Sequence, residues 1–154
     1  MSFAEFLNTV PAFEGFSPED LLVLDRTMVV QDFPDGHVFI QEGKYADAMY
    51  LVVRGEVVVT RRRPGRLDSE VLNRLGPGDV FGLVGLIDHG PRSASCRAAG
   101  PVQAACLPYG AFELLFKGNT HIRYRFQRLI ARQLVHDIRS ATALLLDNID
   151  QQPG

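Results

Sequence analysis

The sequence predicts a mainly β domain with helices at both ends. Three observations carry that prediction. Short runs of β-branched and aromatic residues recur through the middle of the chain, separated by Gly, Pro and Asp turns. Helix-start signals cluster near the N-terminus. The last third has no glycine or proline between Gly118 and Pro153 and carries one apolar stripe at helical spacing.

The elements follow in order. Phe3, Phe6, Leu7 and Val10 suit a short amphipathic helix ending at Pro11. Ser17 then offers an N-cap, Pro18 a first helical residue, and Glu19 and Asp20 acids for the first turn. Leu21, Leu22 and Leu24 supply the apolar face. Turn chemistry recurs at Pro34-Asp35-Gly36, Glu42-Gly43-Lys44, Arg54-Gly55-Glu56, Pro64-Gly65 and Gly76-Pro77-Gly78-Asp79. Between these lie Val38-Phe39-Ile40, Met49-Tyr50-Leu51-Val52-Val53 and Val57-Val58-Val59-Thr60, each read as a strand. Two more strands are expected over 93–99 and 102–107. Short strands at this spacing fit a sandwich, roll or barrel. Residues 109–117 suit one or two helical turns, and Asn119-Thr120 caps a long helix. Its stripe is Ile122, Phe126, Ile130, Leu134, Ile138, Ala141 and Leu145, with Arg123, Arg125, Arg128, Arg132 and Arg139 over much of the rest.

Composition bounds the function. The chain has 154 residues, 46% hydrophobic and 22% charged, with 18 acids against 16 bases. That fits one ordinary globular domain able to bury a core without metal or disulfide staples. A net charge of −2 excludes a generally basic nucleic-acid binder. No apolar run approaches the roughly 20 residues of a membrane span. The N-terminus has no basic n-region. Cys96 and Cys106 form neither a disulfide framework nor a metal-ligand spacing. A cytoplasmic protein is expected.

One segment points to chemistry: 81–94, Phe81-Gly82-Leu83-Val84-Gly85-Leu86-Ile87-Asp88-His89-Gly90-Pro91-Arg92-Ser93-Ala94. A glycine leading into a turn of helix presents unpaired amides to an anion. Arg92 can add a fork donor for phosphate. By spacing alone, the same residues also fit a sheet corner with a surface arginine.

With Phe13-Glu14-Gly15-Phe16-Ser17-Pro18-Glu19-Asp20-Leu21, Pro34 to Gly43, Ala46 to Val57 and Leu75 to Gly82, the chain resembles, in order and nearly throughout, the cyclic nucleotide-binding domains of the catabolite activator protein and protein kinase A regulatory subunits. The resemblance implies an eight-stranded antiparallel β-roll (a double-stranded β-helix, jelly-roll-like) closed by a long C-terminal helix. It divides a single domain, 1–154, into N-terminal helices to about 28, a roll over 29–108 with its phosphate cassette at 81–94, and C-terminal helices over 109–148. It also implies a ligand site at Gly82, Leu83, Val84, Gly85, Arg92 and Ser93. Arg92 stands at the family's phosphate-binding arginine. Leu83 stands where the family's cassette has a glutamate that accepts from the ribose 2′-hydroxyl, so weaker binding of cyclic AMP or cyclic GMP is expected. Two readings follow: a pocket for a cyclic nucleotide or related anion, or a ligand-free roll used for protein contact. The long helix is expected to pass the base near Asp137 and Ile138 and to pair with a second copy from Leu134 to Leu146.

Other candidates are weaker. His37, His89, His121 and His136 are scattered, with no His-x-His for a cupin-type metal site. Cys96 reads as a buried inert thiol. Arg61-Arg62-Arg63 and Arg66 around Pro64-Gly65 read as a solvated hairpin tip. No catalysis, no cofactor, no metal, no membrane contact and no DNA-binding module in this chain are expected. The output is expected to pass through a partner or through dimer geometry.

Overall fold

A computed structural model gives the architecture; it describes residues 1–45, 47–88 and 90–150. Ala46 and His89, both in segments named above, lie outside the described residues.

The N-terminal helices form where their caps are. In α1 (Phe3–Leu7) the Ser2 hydroxyl accepts from the Glu5 amide and Glu5 reaches back to the Ser2 amide. A 3-10 turn, Pro11–Phe13, follows. In α2 (Pro18–Thr27) Ser17 Oγ accepts from the Asp20 amide at 3.1 Å, and Asp20 Oδ2 accepts from the Ser17 amide at 3.0 Å. Asp20 is buried, and its second oxygen lies 2.9 Å from His121 Nδ1 on the C-terminal helix. Burial works to raise the Asp20 pKa, but the bonds from His121 and Ser17 outweigh it and hold the carboxyl below its ordinary value.

Six antiparallel strands are described. They are β1 (Val29–Phe33), β2 (Val38–Ile40), β3 (Ala48–Arg62), β4 (Ser69–Leu75), β5 (Val80–Phe81) and β6 (Ser95–Pro108). The order is β1-β6-β3-β4, with β2 added on β6 and β5 on β3. The fold is the expected roll, yet six strands stand where eight were expected. The reason is local. Arg54-Gly55-Glu56, read as a turn, is a bulge inside β3, where the pairing with β6 shifts register on both sides of Arg54. Gly55 takes a φ of +92°, and a Cβ there would lie 2.5 Å from the Pro101 carbonyl oxygen. Gly100-Pro101 is likewise inside β6. Each long strand bends and does the work of two.

Alternation along these strands divides the core. Met49 and Leu51 join Ala105 and Leu107 in a cluster beneath the helices. Tyr50 and Val52 join Cys96, Ala98 and Ala104 in a cluster inside the roll. Successive side chains on a strand point to opposite faces, so one sheet serves both. The basic hairpin tip is charge-paired: Arg61 reaches Glu70 at 3.2 Å and Arg63 reaches Asp68 at 3.7 Å. These exposed pairs each contribute at most about 1 kcal/mol.

Two helices close the chain, α4 (Tyr109–Gly118) and α5 (Thr120–Asp150). Asn119 Oδ1 accepts from the amides of His121 and Ile122, capping α5. The α5 stripe divides. Ile122, Phe126, Leu129 and Ile130 are buried against the helix-side core, whereas Leu134, Ile138 and Leu145 are 42%, 64% and 63% exposed. No helix among the described residues is long and apolar enough to cross a membrane.

Candidate functional site

A cavity of about 790 Å³ lies between the roll and α5. One wall is β5 and the segment that leaves it, a second is Arg61, Leu72 and Asn73 on the β3–β4 hairpin, and the third is Leu129, Gln133, His136 and Asp137 on α5. Its size suits a small organic ligand.

The 81–94 segment is shaped by two glycines. Phe81 is paired with Tyr50, which fixes where the chain leaves the sheet. Gly82 has a φ of +85°, and a Cβ there would lie 2.9 Å from the Ala48 carbonyl oxygen and 3.1 Å from Ile40 Cδ1. Only glycine fits this turn. One turn of helix follows, α3 (Gly85–Asp88), with Leu86 N–H donating to Leu83 O and Ile87 N–H to Val84 O. Among the described residues, the amides of Leu83, Val84 and Gly85 have no acceptor. Such amides can receive an anion.

Arg92 is set by its backbone. Its amide donates to Lys44 O at 2.7 Å, and its carbonyl accepts from Gly43 N–H at 2.8 Å. The side chain then turns back across the segment: Nη2 donates to Gly82 O at 2.9 Å and to Ala48 O at 3.4 Å. The guanidinium rests on Gly85, where any Cβ would overlap it. Gly82 and Gly85 thus serve different ends, the first a backbone turn and the second room for an arginine.

Of the six expected site residues, Gly82, Leu83, Val84, Arg92 and Ser93 line the cavity. Gly85 lies behind the Arg92 guanidinium. Leu83 is only 4% exposed and belongs to the core cluster beneath the helices. On α5, Asp137 lines the cavity, while Ile138 is exposed and does not line it. Sequence reasoning missed Gln133, His136, Arg61 and Asn73. Gln133 could have been found by its spacing, since it lies four residues before Asp137 and donates to that carboxylate at 3.0 Å.

Burial pushes the thiol of Cys96, on the cavity wall, up to about 11, although the charge of Arg92 acts to lower it. It is a neutral thiol at pH 7. The arrangement therefore offers the Arg92 guanidinium and the Leu83 and Val84 amides at one end of the cavity and a hydrogen-bonding helix face at the other.

The chain is similar to known proteins over most of its length. The sequence model described as "Cyclic nucleotide-binding domain" matches residues 30–119. A CRP-like cAMP-activated global transcriptional regulator of Mycobacterium tuberculosis is 30% identical over 130 residues, 84% of this chain and 58% of that protein. The cAMP-dependent protein kinase type II regulatory subunit of Drosophila melanogaster is 36% identical over 115 residues, 73% of this chain and 30% of that protein. The chain thus spans well under two thirds of either curated relative. Among solved structures, a cyclic nucleotide-binding domain from Methylobacillus flagellatus superposes with a TM-score of 0.80 at 25% identity, covering 99% of this chain and 84% of that one.

Proposed function

The chain belongs to the cyclic nucleotide-binding domain family, and from that premise we propose that it is a non-catalytic sensor module whose cavity takes a cyclic nucleotide or a closely related phosphorylated ligand. The observation that carries this reading is Arg92, placed across the segment whose Leu83, Val84 and Gly85 amides lack acceptors. The ligand phosphate would sit there, held by the Gly82–Gly85 backbone, the Arg92 fork and Ser93. Cyclic AMP is the first candidate, since the mycobacterial regulator is described as cAMP-activated and the fly protein belongs to a cAMP-dependent kinase. Cyclic GMP is the second. The base would lie toward α5, near Gln133, His136 and Asp137.

Leu83 offers no acceptor for a ribose hydroxyl. Losing that partner costs about 1–3 kcal/mol, roughly a tenfold to hundredfold loss of affinity. Binding weaker by that factor than at a site that keeps the carboxylate is expected. The signal would leave through α5, which shares the cavity wall, and through pairing of two copies along Leu134, Ile138 and Leu145. The setting proposed is the cytoplasm.

A second reading is a roll with no nucleotide ligand that serves protein contact or dimerisation. The burial of Leu83 in the core favours it, because that side chain serves packing. Titration calorimetry with cyclic AMP and cyclic GMP separates the two. Saturable heat that Arg92→Ala reduces at least tenfold supports the sensor. Heat indistinguishable from buffer up to millimolar ligand leaves only the contact module.

A further inference from the structure

A second cavity, of about 210 Å³, lies between the turn at 12–16 and α5. Three arginines of α5 line it, Arg125, Arg128 and Arg132, and Glu14 and Gly15 line it from the turn. The arginines are spaced by three and four residues, which places them on one stripe of the helix. Among the described residues, none of the three is in an ion pair. Like charges at this spacing repel one another and destabilise a helix. The Nε of Arg125 is moreover buried with no hydrogen-bond acceptor. A buried donor without an acceptor is unfavourable. The turn closes on the same group: a Cβ on Gly15 would lie 3.6 Å from Arg125 Nη1. Like charges held together around one concavity are what a bound anion would relieve.

We propose that this cavity is a phosphate-dianion site, separate from the one at Arg92. Three guanidiniums and one carboxylate leave the walls at +2, the complement of a phosphate dianion. Guanidinium forks match phosphate oxygens in geometry. The volume falls below the roughly 300 Å³ at which pockets for drug-sized ligands begin, and it suits a phosphate group. The two cavities share Leu129 and Ala12 as walls. A phosphate bound here ties the 12–16 turn to α5, and α5 is also the helix that roofs the larger cavity.

The test is a thermal-shift and calorimetric titration of the full chain with inorganic phosphate, at ionic strength held constant with sodium chloride. It is run in Arg92→Ala protein, so that its outcome does not depend on the larger cavity. A saturable rise in Tm is expected. Arg125→Gln should weaken phosphate binding at least tenfold. Arg128→Gln, at an exposed position, should weaken it similarly while leaving the phosphate-free Tm unchanged or higher, because a like-charge repulsion is removed. That opposition of sign is one a merely structural arginine would not produce, and it holds even if Arg125→Gln folds poorly. No response beyond that of chloride overturns the proposal, as does a response that Arg128→Gln leaves intact. A parallel titration with ribose 5-phosphate identifies the source. Response to both anions points to a phosphate monoester, response to phosphate alone points to the free ion, and either supports the site.

Discussion

Leu83 shows how one side chain sets the terms for a site. It stands at the cassette position where the resemblance implies a carboxylate, yet it is buried among the residues that pack beneath the helices. Replacing it has two opposed effects. Leu83→Glu removes core packing and buries an acid, which should cost at least about 2 kcal/mol in the ligand-free protein. The same carboxylate would accept from a ribose hydroxyl, restoring about 1–3 kcal/mol of binding. The expected outcome is a lower Tm without ligand and a larger rise with cyclic AMP than wild type shows, read by differential scanning calorimetry. Equal ligand-induced shifts in both proteins would remove Leu83 as the cause of weak binding. The residues of this segment were legible in the sequence, because glycines before a helical turn and an arginine after it are local signals. That Gly85 accommodates the Arg92 guanidinium was not, because the two meet only when the loop folds back.

At the level of elements, the bend shared by β3 and β6 positions everything else. The register shift around Arg54 lets one pair of strands turn a corner without breaking its ladder. Gly55 makes the corner, with its positive φ and the Pro101 carbonyl against its open side. Gly55→Ala would meet both obstacles. The left-handed backbone alone costs about 1–2 kcal/mol, and the contact adds to it. A loss of at least about 2 kcal/mol is expected, a fall of roughly 4–8 °C in Tm for a chain of this size. An unchanged melting curve would show that the corner can relax. This is also where the strand count differed from expectation. A Gly flanked by polar residues reads the same in a turn as in a bulge, and only the partner strand decides between them.

For the whole molecule, the division of α5 bears on whether two copies pair. Its first half supplies core residues, while its second half leaves Leu134, Ile138 and Leu145 in solvent. Continuing one stripe from core to surface suits a helix that packs inward first and on a second copy afterwards. Sedimentation velocity should show a dimer that Ile138→Lys converts to monomer with its helical content unchanged. A monomer at high concentration would reject the pairing. Against this frame, the kinds of element were determined by the sequence alone. Caps at Ser17 and Asn119, alternation along β3 and the 3.6-residue period of α5 are short-range effects, so neighbours in the chain suffice to produce them. The tertiary structure alone decided that α5 roofs the cavity with Gln133 and His136, that Leu83 sits in the core, and that three arginines enclose a second cavity. Each depends on groups brought together from distant parts of the chain, whose meeting is governed by how the sheet bends and where the helix lands on it.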